Sequence, residues 1–395
     1  MSSSAEFVRR HHRHTHLHYM HPVTLSAFAE PPVNFALVCK MLGVGEMNHR
    51  LEANGHGKPV AMAKQEQLQQ RGDHKETLWY EEEIHDDLKI CYALNSFLLS
   101  VLLESVLHRG KSKYQEIALV NTKCFGKALI IHGKMQSADA DEFIYHESLI
   151  HPPLLFHPNP ETVFIMGGGE GSAAREALKQ KTVQRVVMCD IDEEVVHFCR
   201  THLSVNWDAF ASDKLCLVIN DARAELEKMR EEKFDAIVGD LADPMEGGPC
   251  YQLYTRSFYE QVLKPRLHDG GIFVTQAGPA GVLTHKEVFS SIYNTLRHVF
   301  KHVKAYTAHV SSFADTWGWV MASDHPFTLT AQQINERITD RIDGELSYLD
   351  GETLISSTTL NKTVFHSLLN ERHVYTEDDA RFVHGHGTGR AAMLN

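Results

Sequence analysis

The chain has 395 residues and an ordinary globular composition, so it is long enough to bury a full core. Its 39 Lys and Arg against 51 Asp and Glu give a net charge of −12, which argues against nucleic acid as the main partner. The seven cysteines form no CxxC pair, as is typical of a reducing compartment, and no apolar run has the length of a spanning helix. We expect a cytoplasmic protein with no nucleic-acid and no membrane partner.

The first part of the chain differs in composition from the rest. RRHHRHTHLHYMHP is rich in histidine and AMAKQEQLQQRGDHK is polar, so residues 1–75 are expected to be a largely disordered extension. Residues 76–140 alternate between apolar and polar positions and carry turn signals, which predicts a small N-terminal antiparallel β-domain. Residues 141–385 are predicted to form the main domain, and residues 386–395 a loose tail.

A helix is predicted at the start of the main domain, over residues 139–151. Pro152 and Pro153 should end it, because proline lacks the amide hydrogen that a helix interior needs. Its sequence DEFIYHE carries Tyr145, His146 and Glu147. These residues belong either to a functional site or to a partly exposed helix face, and the sequence alone does not separate the two interpretations.

Strands and helices alternate from Thr162 onward. The apolar runs VFIM, RVVMCDI, LCLVIND, DAIVGD and GIFVTQ are separated by helical patterns such as SAAREALK and EEVVHFCRTHL. This alternation predicts an α/β fold with a doubly wound, Rossmann-like sheet of the methyltransferase type. The carboxyl ends of such parallel strands meet at one crevice, where ligands bind.

The turn GGGEG after the first of these strands has the setting of a nucleoside site. Gly167, Gly169 and Gly171 let the backbone approach a ligand, and Asp190 ends the next strand about 20 residues further on, as ribose recognition requires. Glu170 inside the turn would repel a pyrophosphate, so NAD is disfavoured and an adenosine ligand without phosphate fits better. Near the tail of S-adenosylmethionine, Glu170 would attract the ammonium and repel the carboxylate, which favours the decarboxylated form.

Two further strand ends carry acids. Asp240 ends FDAIVG and should reach the crevice, whereas Asp243, in GDLADP, is either part of the site or a turn former before Pro244. Asp221 ends VIND and is followed by the small Ala222, a pair that could accept a hydrogen bond from an adenine amino group and leave room for the ring. This surplus of carboxylates predicts cationic ligands.

The motifs GGGEG, CDIDEE, NDARAE and GDLADP together resemble the spermidine synthase family of polyamine aminopropyltransferases. The resemblance extends from about Leu78 to Asp324 and includes RGKSKYQEIAL and GKMQSADADEFIYHE. Two segments, GDLADPMEGGPCYQLY and FADTWGWVMASD, are most similar to the plant thermospermine synthases of that family. The resemblance implies transfer of an aminopropyl group from decarboxylated S-adenosylmethionine to a polyamine such as spermidine, no bound cofactor or metal, and a homo-oligomer.

The resemblance also implies roles for particular residues. Asp240 would accept the proton of the attacking amine, and Glu170 would hold the aminopropyl ammonium. The donor would further contact Gln115, Gly167, Gly169, Asp190, Asp221, Ala222 and Pro249. The polyamine would contact Tyr145, His146, Glu170, Asp240, Asp243 and Phe313.

The chain departs from the family at a few positions. Phe313 stands where a substrate-side Tyr is typical, and His85 and His132 stand where Asp is usual. The apolar run Phe97–Ser105 is an apparent insertion in the β-domain. Four alternatives stay open on the sequence: spermidine as the product, spermine as the product, a methyltransferase on the same scaffold, and a catalytically silent polyamine-binding homologue.

Overall fold

The computed structural model describes residues 79–85, 88–93, 96–101, 103–244, 248, 250–379 and 381. The histidine-rich extension, residues 1–75, and the predicted tail, residues 386–395, lie outside the described residues. The domain boundaries therefore stay predictions.

The N-terminal part consists of two antiparallel sheets. A three-stranded meander contains β1 (Trp79–His85), β2 (Leu88–Ala93) and β3 (Ser96–Val101). A four-stranded sheet contains β4 (Leu103–Lys111), β5 (Glu116–Thr122), β6 (Gly126–Ile131) and β7 (Lys134–Ala138).

The apparent insertion Phe97–Ser105 falls on β3 and the start of β4. In the β2–β3 pair Phe97 lies opposite Tyr92, and Val101 lies opposite Leu88. Most of this segment therefore forms the third strand of the meander and the start of β4. His132 and Gly133 connect β6 to β7, both with positive φ (51° and 75°), as in the type I′ turns that suit the twist of a hairpin.

The main domain is built on a seven-stranded sheet in the order β10-β9-β8-β11-β12-β14-β13. Strands β8 to β12 pair in parallel, and β14 runs antiparallel between β12 and β13. The predicted Rossmann-like fold is confirmed. Its chain reverses direction of winding between β8 and β11, which opens the ligand crevice there. The strands are β8 (Thr162–Gly167), β9 (Arg185–Asp190), β10 (Leu215–Ile219), β11 (Phe234–Asp240), β12 (Leu267–Pro279), β13 (His302–Val310) and β14 (Asp315–Ser323).

Helices cover both faces of this sheet, and each face carries its own apolar core. The segment Phe258–Leu263, between β11 and β12, is a π-helix. None of the helices in the described part of the chain is long and apolar enough to cross a membrane. The α-helices are α1 (Glu142–Phe156), α2 (Ser172–Leu178), α3 (Glu193–His202), α4 (Trp207–Ala211), α5 (Ala222–Lys228), α6 (Phe289–Arg297), α7 (Ala331–Arg341), α8 (Gly351–Ser357) and α9 (Lys362–Asn370).

Helix α1 does not end at its two prolines. It continues through Pro152 and Pro153 to Phe156, so the predicted end was wrong. Pro152 removes the amide hydrogen that would bond to the Ser148 carbonyl, but the hydroxyl of Tyr306 donates to that carbonyl at 2.8 Å instead. Burial of the whole second half of α1 against the sheet stabilises the remaining turns.

The four-stranded sheet packs against helix α3 of the main domain. Ile117 and Leu119 on β5 share an apolar cluster with Val195, Phe198 and Cys199 of α3. This contact holds the start of β5 at the amino end of α3, beside the crevice. A residue of the β-domain can therefore contribute to a site in the main domain.

Candidate active site

The glycine turn lies against the end of β11. Gly167 pairs with Asp240 in the parallel register of β8 and β11, and its φ of 79° favours glycine. A Cβ at Gly167 would lie 2.2 Å from the Asp240 carbonyl oxygen. The amide of Gly168 donates to that same oxygen at 3.2 Å. The glycines therefore bring the turn into direct contact with the strand end that carries Asp240.

Asp190, at the end of β9, is tied to the same turn. Its Oδ2 accepts from the amide of Gly169 at 2.9 Å, and its Oδ1 accepts from the amide of Asp192 at 2.8 Å. Burial raises the pKa of Asp190 to about 6 despite these two hydrogen bonds. Each oxygen keeps a lone pair for a further donor, which suits the predicted pair of ribose hydroxyls.

Gln115 reaches the crevice from the β-domain. Its Nε2 donates to Oδ2 of Asp192 at 3.0 Å, and the Ser112 hydroxyl donates to the same oxygen at 2.6 Å. Asp192 in turn caps α3 through the amide of Val195. Gln115, which was predicted to contact the donor, is thus connected to Asp190 through Asp192. The sequence did not predict this role of Asp192.

Asp221 is the N-cap of α5, a role that the sequence did not predict. Its Oδ1 accepts from the amide of Ala224 at 3.0 Å, and its Oδ2 accepts from Nε2 of Gln252 at 3.2 Å. Ala222 follows it and is 6% exposed. An adenine amino group that donates to Asp221 would share Oδ2 with Gln252 or displace the Gln252 side chain. The adenine contact stays a prediction, and Gln252 would lie next to the adenine.

Asp240 faces Tyr145 across the crevice. The Tyr145 hydroxyl donates to Oδ1 of Asp240 at 2.9 Å. Burial raises the pKa of Asp240, whereas the charge of His146 and the hydrogen bond from Tyr145 lower it. The net effect is a raised pKa, so this carboxylate accepts a proton more readily than one in water, as a general base requires.

His146 lies beside Glu142 on the first turns of α1. Its Nδ1 donates to Oε2 of Glu142 at 2.7 Å and to the Glu142 carbonyl at 2.9 Å. Burial by itself lowers the pKa of His146, but Glu142, Glu170 and Asp240 together raise it to about 9. His146 is therefore a cation among carboxylates at neutral pH.

Glu170 completes this group from the glycine turn. One carboxylate oxygen each of Glu142 and Glu170 and one ring nitrogen of His146 lie within 4.8 Å of one another. Burial raises the pKa of Glu170, while His146 and the Ser172 hydroxyl, which donates to its Oε1 at 2.6 Å, lower it. Both oxygens of Glu142 already accept from Arg175 (2.8 and 2.9 Å), so these three residues form an ion-paired network and their donor set does not suit a divalent metal.

Glu147 has a purely structural role. It is 1% exposed, and its two oxygens accept from the backbone amides of Ser347, Tyr348 and Leu349 at 2.7 to 2.9 Å. Of the three residues that the sequence singled out in DEFIYHE, Tyr145 and His146 line the site and Glu147 fixes the chain before α8.

The opposite wall of the crevice is built around Asp243 and Gln276. Nε2 of Gln276 donates to Oδ1 of Asp243 at 3.2 Å and to the Leu241 carbonyl at 2.7 Å. Oε1 of Gln276 accepts from Nε1 of Trp317 at 3.2 Å. Asp243 is therefore held by a side chain of the sheet and is more than a turn former. The polar end of the strand GIFVTQ was the signal that could have identified Gln276.

Phe313 belongs to an aromatic wall. Its ring lies edge-on to Tyr145, with centroids 5.8 Å apart, and edge-on to Trp317, with centroids 4.8 Å apart. The predicted polyamine residues Tyr145, His146, Glu170, Asp240 and Phe313 are thus brought together. Pro249, predicted to contact the donor, lies outside the described residues.

Comparison with known proteins assigns the chain to one family. Residues 142–332 match the model of the spermine/spermidine synthase domain, and residues 78–139 match the spermidine synthase tetramerisation domain. The chain is 67% identical to thermospermine synthase ACAULIS5 from Arabidopsis thaliana over 309 residues, which cover 78% of this chain and 88% of the relative. It is 43% identical to a polyamine aminopropyltransferase from Sulfurisphaera tokodaii over 281 residues, 70% of this chain and 91% of the relative.

Solved structures give the same assignment. A spermidine synthase in complex with the transition-state analogue AdoDATO aligns with a TM-score of 0.64 and 26% identity, over 77% of this chain and 99% of that one. The spermidine synthase of Thermotoga maritima aligns with a TM-score of 0.63 and 25% identity, over 77% of this chain and 98% of that one. The chain belongs to the spermine/spermidine synthase family and is a polyamine aminopropyltransferase.

Proposed function

We propose that this chain transfers the aminopropyl group of decarboxylated S-adenosylmethionine to spermidine, giving thermospermine and methylthioadenosine. The observation that carries the choice of product is the 67% identity to a thermospermine synthase over 309 residues. The acceptor and product of the more distant polyamine aminopropyltransferases are not specified by their names, so they support the reaction class alone.

The reaction is a single displacement at carbon. The acceptor nitrogen attacks the aminopropyl carbon bonded to the sulfonium, the new C–N bond forms as the C–S bond breaks, and sulfur keeps the electron pair of the broken bond. The nitrogen must also lose a proton, because an alkyl ammonium with a pKa of about 10.4 has no lone pair. Asp240 would receive that proton at the oxygen that Tyr145 does not occupy.

Position is the main contribution that we assign to Asp240. A carboxylate beside an ammonium also stabilises the charged form, which opposes deprotonation. The advantage comes from alignment, since Asp240 is fixed by Tyr145 and by the register with Gly167, and it would hold the nitrogen in line with the carbon under attack.

The donor would lie along the glycine turn. Asp190 would accept from the ribose hydroxyls, Asp221 and Ala222 would contact the adenine, and Gln115 would close the site from the β-domain. Glu170 would bind the ammonium of the aminopropyl group and would repel the carboxylate of S-adenosylmethionine itself. That preference separates this function from a methyltransferase on the same scaffold.

Spermidine would lie along the aromatic wall of Tyr145, Phe313 and Trp317, with Asp240 and Asp243 for its ammonium groups. Thermospermine results when the aminopropyl end of spermidine attacks, and spermine results when the aminobutyl end attacks.

We also propose that the protein is cytoplasmic and is a homo-oligomer assembled through the β-domain. The match of residues 78–139 to a tetramerisation domain supports the oligomer.

The test is an acceptor comparison with purified protein. Decarboxylated S-adenosylmethionine is incubated with spermidine or with putrescine, and methylthioadenosine is measured by chromatography, with Asp240→Asn as the inactive control. We expect release with spermidine well above that with putrescine. Equal or greater release with putrescine indicates a spermidine synthase, and no release with either acceptor indicates a silent polyamine-binding homologue.

A further inference from the structure

Glu142, which was not among the predicted site residues, lies beside His146 at the start of α1. Both groups that face Nδ1 of His146, the Glu142 carboxylate and the Glu142 carbonyl, can only accept a hydrogen bond. Nδ1 therefore carries a proton permanently. The remaining question is whether Nε2 also carries one, because that decides the charge of the ring.

The surroundings of His146 favour the second proton. The charged groups that act on it most strongly are Glu142 on its own helix, Glu170 on the glycine turn and Asp240 at the end of β11, and all three are acids. Arg175, which donates to both oxygens of Glu142, is a cation nearby. The ring of Tyr145 also lies next to that of His146, with centroids 5.0 Å apart. An oxygen of Glu142 and one of Glu170 lie within 4.8 Å of each other and of a ring nitrogen of His146, an arrangement that favours a positive charge on the ring.

Arg175 fixes Glu142 in this role. Its Nη2 donates to both oxygens of Glu142, and its Nε donates to Oε1 of Glu176 at 2.9 Å. Burial by itself raises the pKa of Glu142, but His146 and Arg175 lower it to about 2. Glu142 is thus a permanent anion that is anchored to α2.

We propose that Glu142 is a positioning residue that keeps His146 as a cation in the acceptor pocket, and that this cation lowers the proton affinity of the attacking amine. The inference rests on the proposed function, in which the amine lies beside Asp240. It resolves a conflict in that function, since Asp240 by itself would hold the amine as an unreactive ammonium. A fixed positive charge nearby offsets the carboxylate and raises the fraction of free amine.

The first test measures the charge of His146 without any substrate. Histidine is labelled with ¹³C, the His146 resonance is assigned from a His146→Gln sample, and its titration is followed by NMR in the full chain. Glu142→Gln is expected to lower the pKa of His146 by at least about one unit, and Glu142→Asp to preserve it. An unchanged His146 titration in Glu142→Gln would overturn the proposal.

Glu176→Gln is the matched control. Glu176 is also buried, and its partners are the same Arg175 together with His151 and Lys179. Glu176→Gln is expected to leave the pKa of His146 within a few tenths of a unit of its wild-type value. A shift as large as that in Glu142→Gln would mean that any loosening of Arg175 has this effect, and the specific role of Glu142 would be rejected.

The second test is kinetic and distinguishes this role from a structural one. Without the cation the ammonium binds more tightly and loses its proton less readily, so His146→Gln should lower both KM for spermidine and kcat, the latter by about tenfold. Glu142→Gln should do the same between about pH 8 and 9, and its kcat relative to the wild type should recover toward about pH 7, where His146 regains its proton. A raised KM in both variants would contradict the proposal.

The proposed function and the role of Glu142 can fail separately. If the wild-type protein forms no tetraamine from spermidine, the proposed function fails whatever His146 does. If the wild type forms it while His146 titrates identically in Glu142→Gln, the proposed function stands and this inference fails.

Discussion

The Tyr145 hydroxyl and Oδ1 of Asp240 lie 2.9 Å apart, which joins the first helix of the main domain to the end of its fourth strand. Tyr145 is 8% exposed and Asp240 is partly buried, so water has little access to this hydrogen bond. The pair sets the orientation of the carboxylate that would receive the proton, and it leads to two predictions.

Removal of the Asp240 carboxylate should abolish turnover and leave donor binding intact. Asp240→Asn keeps the shape of the side chain but loses both the charge that would hold the acceptor nitrogen in line and the site that would accept its proton, so kcat should fall by about 100- to 10,000-fold. Methylthioadenosine affinity, measured by calorimetry, should stay within about twofold of the wild type, a loss too small to indicate a lost hydrogen bond. A nearly normal rate of methylthioadenosine release would refute the assignment of Asp240.

Tyr145→Phe should shift the acid limb of the pH–rate profile. The hydroxyl donates to the ionised form of Asp240 and lowers its pKa, so loss of the hydroxyl should raise that pKa. Asp240 is then protonated at higher pH, and kcat should begin to fall at a higher pH than in the wild type. The measurement is kcat against pH at saturating spermidine. Phe313→Leu, which removes a ring beside Tyr145 without touching the hydrogen bond, is the control and should leave the acid limb in place.

Nucleoside binding should weaken in mild acid because of Asp190. Burial raises its pKa to about 6, so the carboxylate is ionised above that pH and protonated below it. Ribose hydroxyls donate to the ionised form, and affinity for methylthioadenosine should therefore decline as pH falls through about 6. Calorimetric titration from neutral to acidic buffer measures this. Asp190→Asn should bind weakly at every pH, and a wild-type affinity that is flat across the same range would count against the ribose contact.

Glu170 should select the decarboxylated donor. The wild type is expected to bind decarboxylated S-adenosylmethionine at least about tenfold more tightly than S-adenosylmethionine, because a nearby anion repels the extra carboxylate. Glu170→Gln should reduce that preference, with Asp243→Asn as a control that should alter spermidine binding instead. Equal affinities of the wild-type protein for the two donors would contradict this role of Glu170.

The sequence predicted the main domain and most of the site for a physical reason. Parallel strands end at one edge, so acids at the ends of β8, β9, β10 and β11 are expected to lie near one another, and Asp240 lies opposite Gly167 in the register of β8 and β11. Short motifs at the strand ends therefore predicted which distant residues lie close together, because the sheet brings the ends of its parallel strands to one edge.

The parts that the sequence did not predict depend on partners far along the chain. The continuation of α1 through Pro152 depends on the hydroxyl of Tyr306, and the position of Asp243 depends on Gln276. Glu142 was the exception, since it lies four residues before His146, a spacing at which side chains of a helix meet. Its anchor Arg175 could not be recognised without the packing of α1 on α2.

The most direct test of the account is the identity of the tetraamine product. The purified wild-type protein is incubated with decarboxylated S-adenosylmethionine and spermidine, and thermospermine and spermine are separated by chromatography against synthetic standards while methylthioadenosine is measured in the same sample. We expect thermospermine and methylthioadenosine in equal amounts. Spermine as the main product, or tetraamine without methylthioadenosine, would contradict the account.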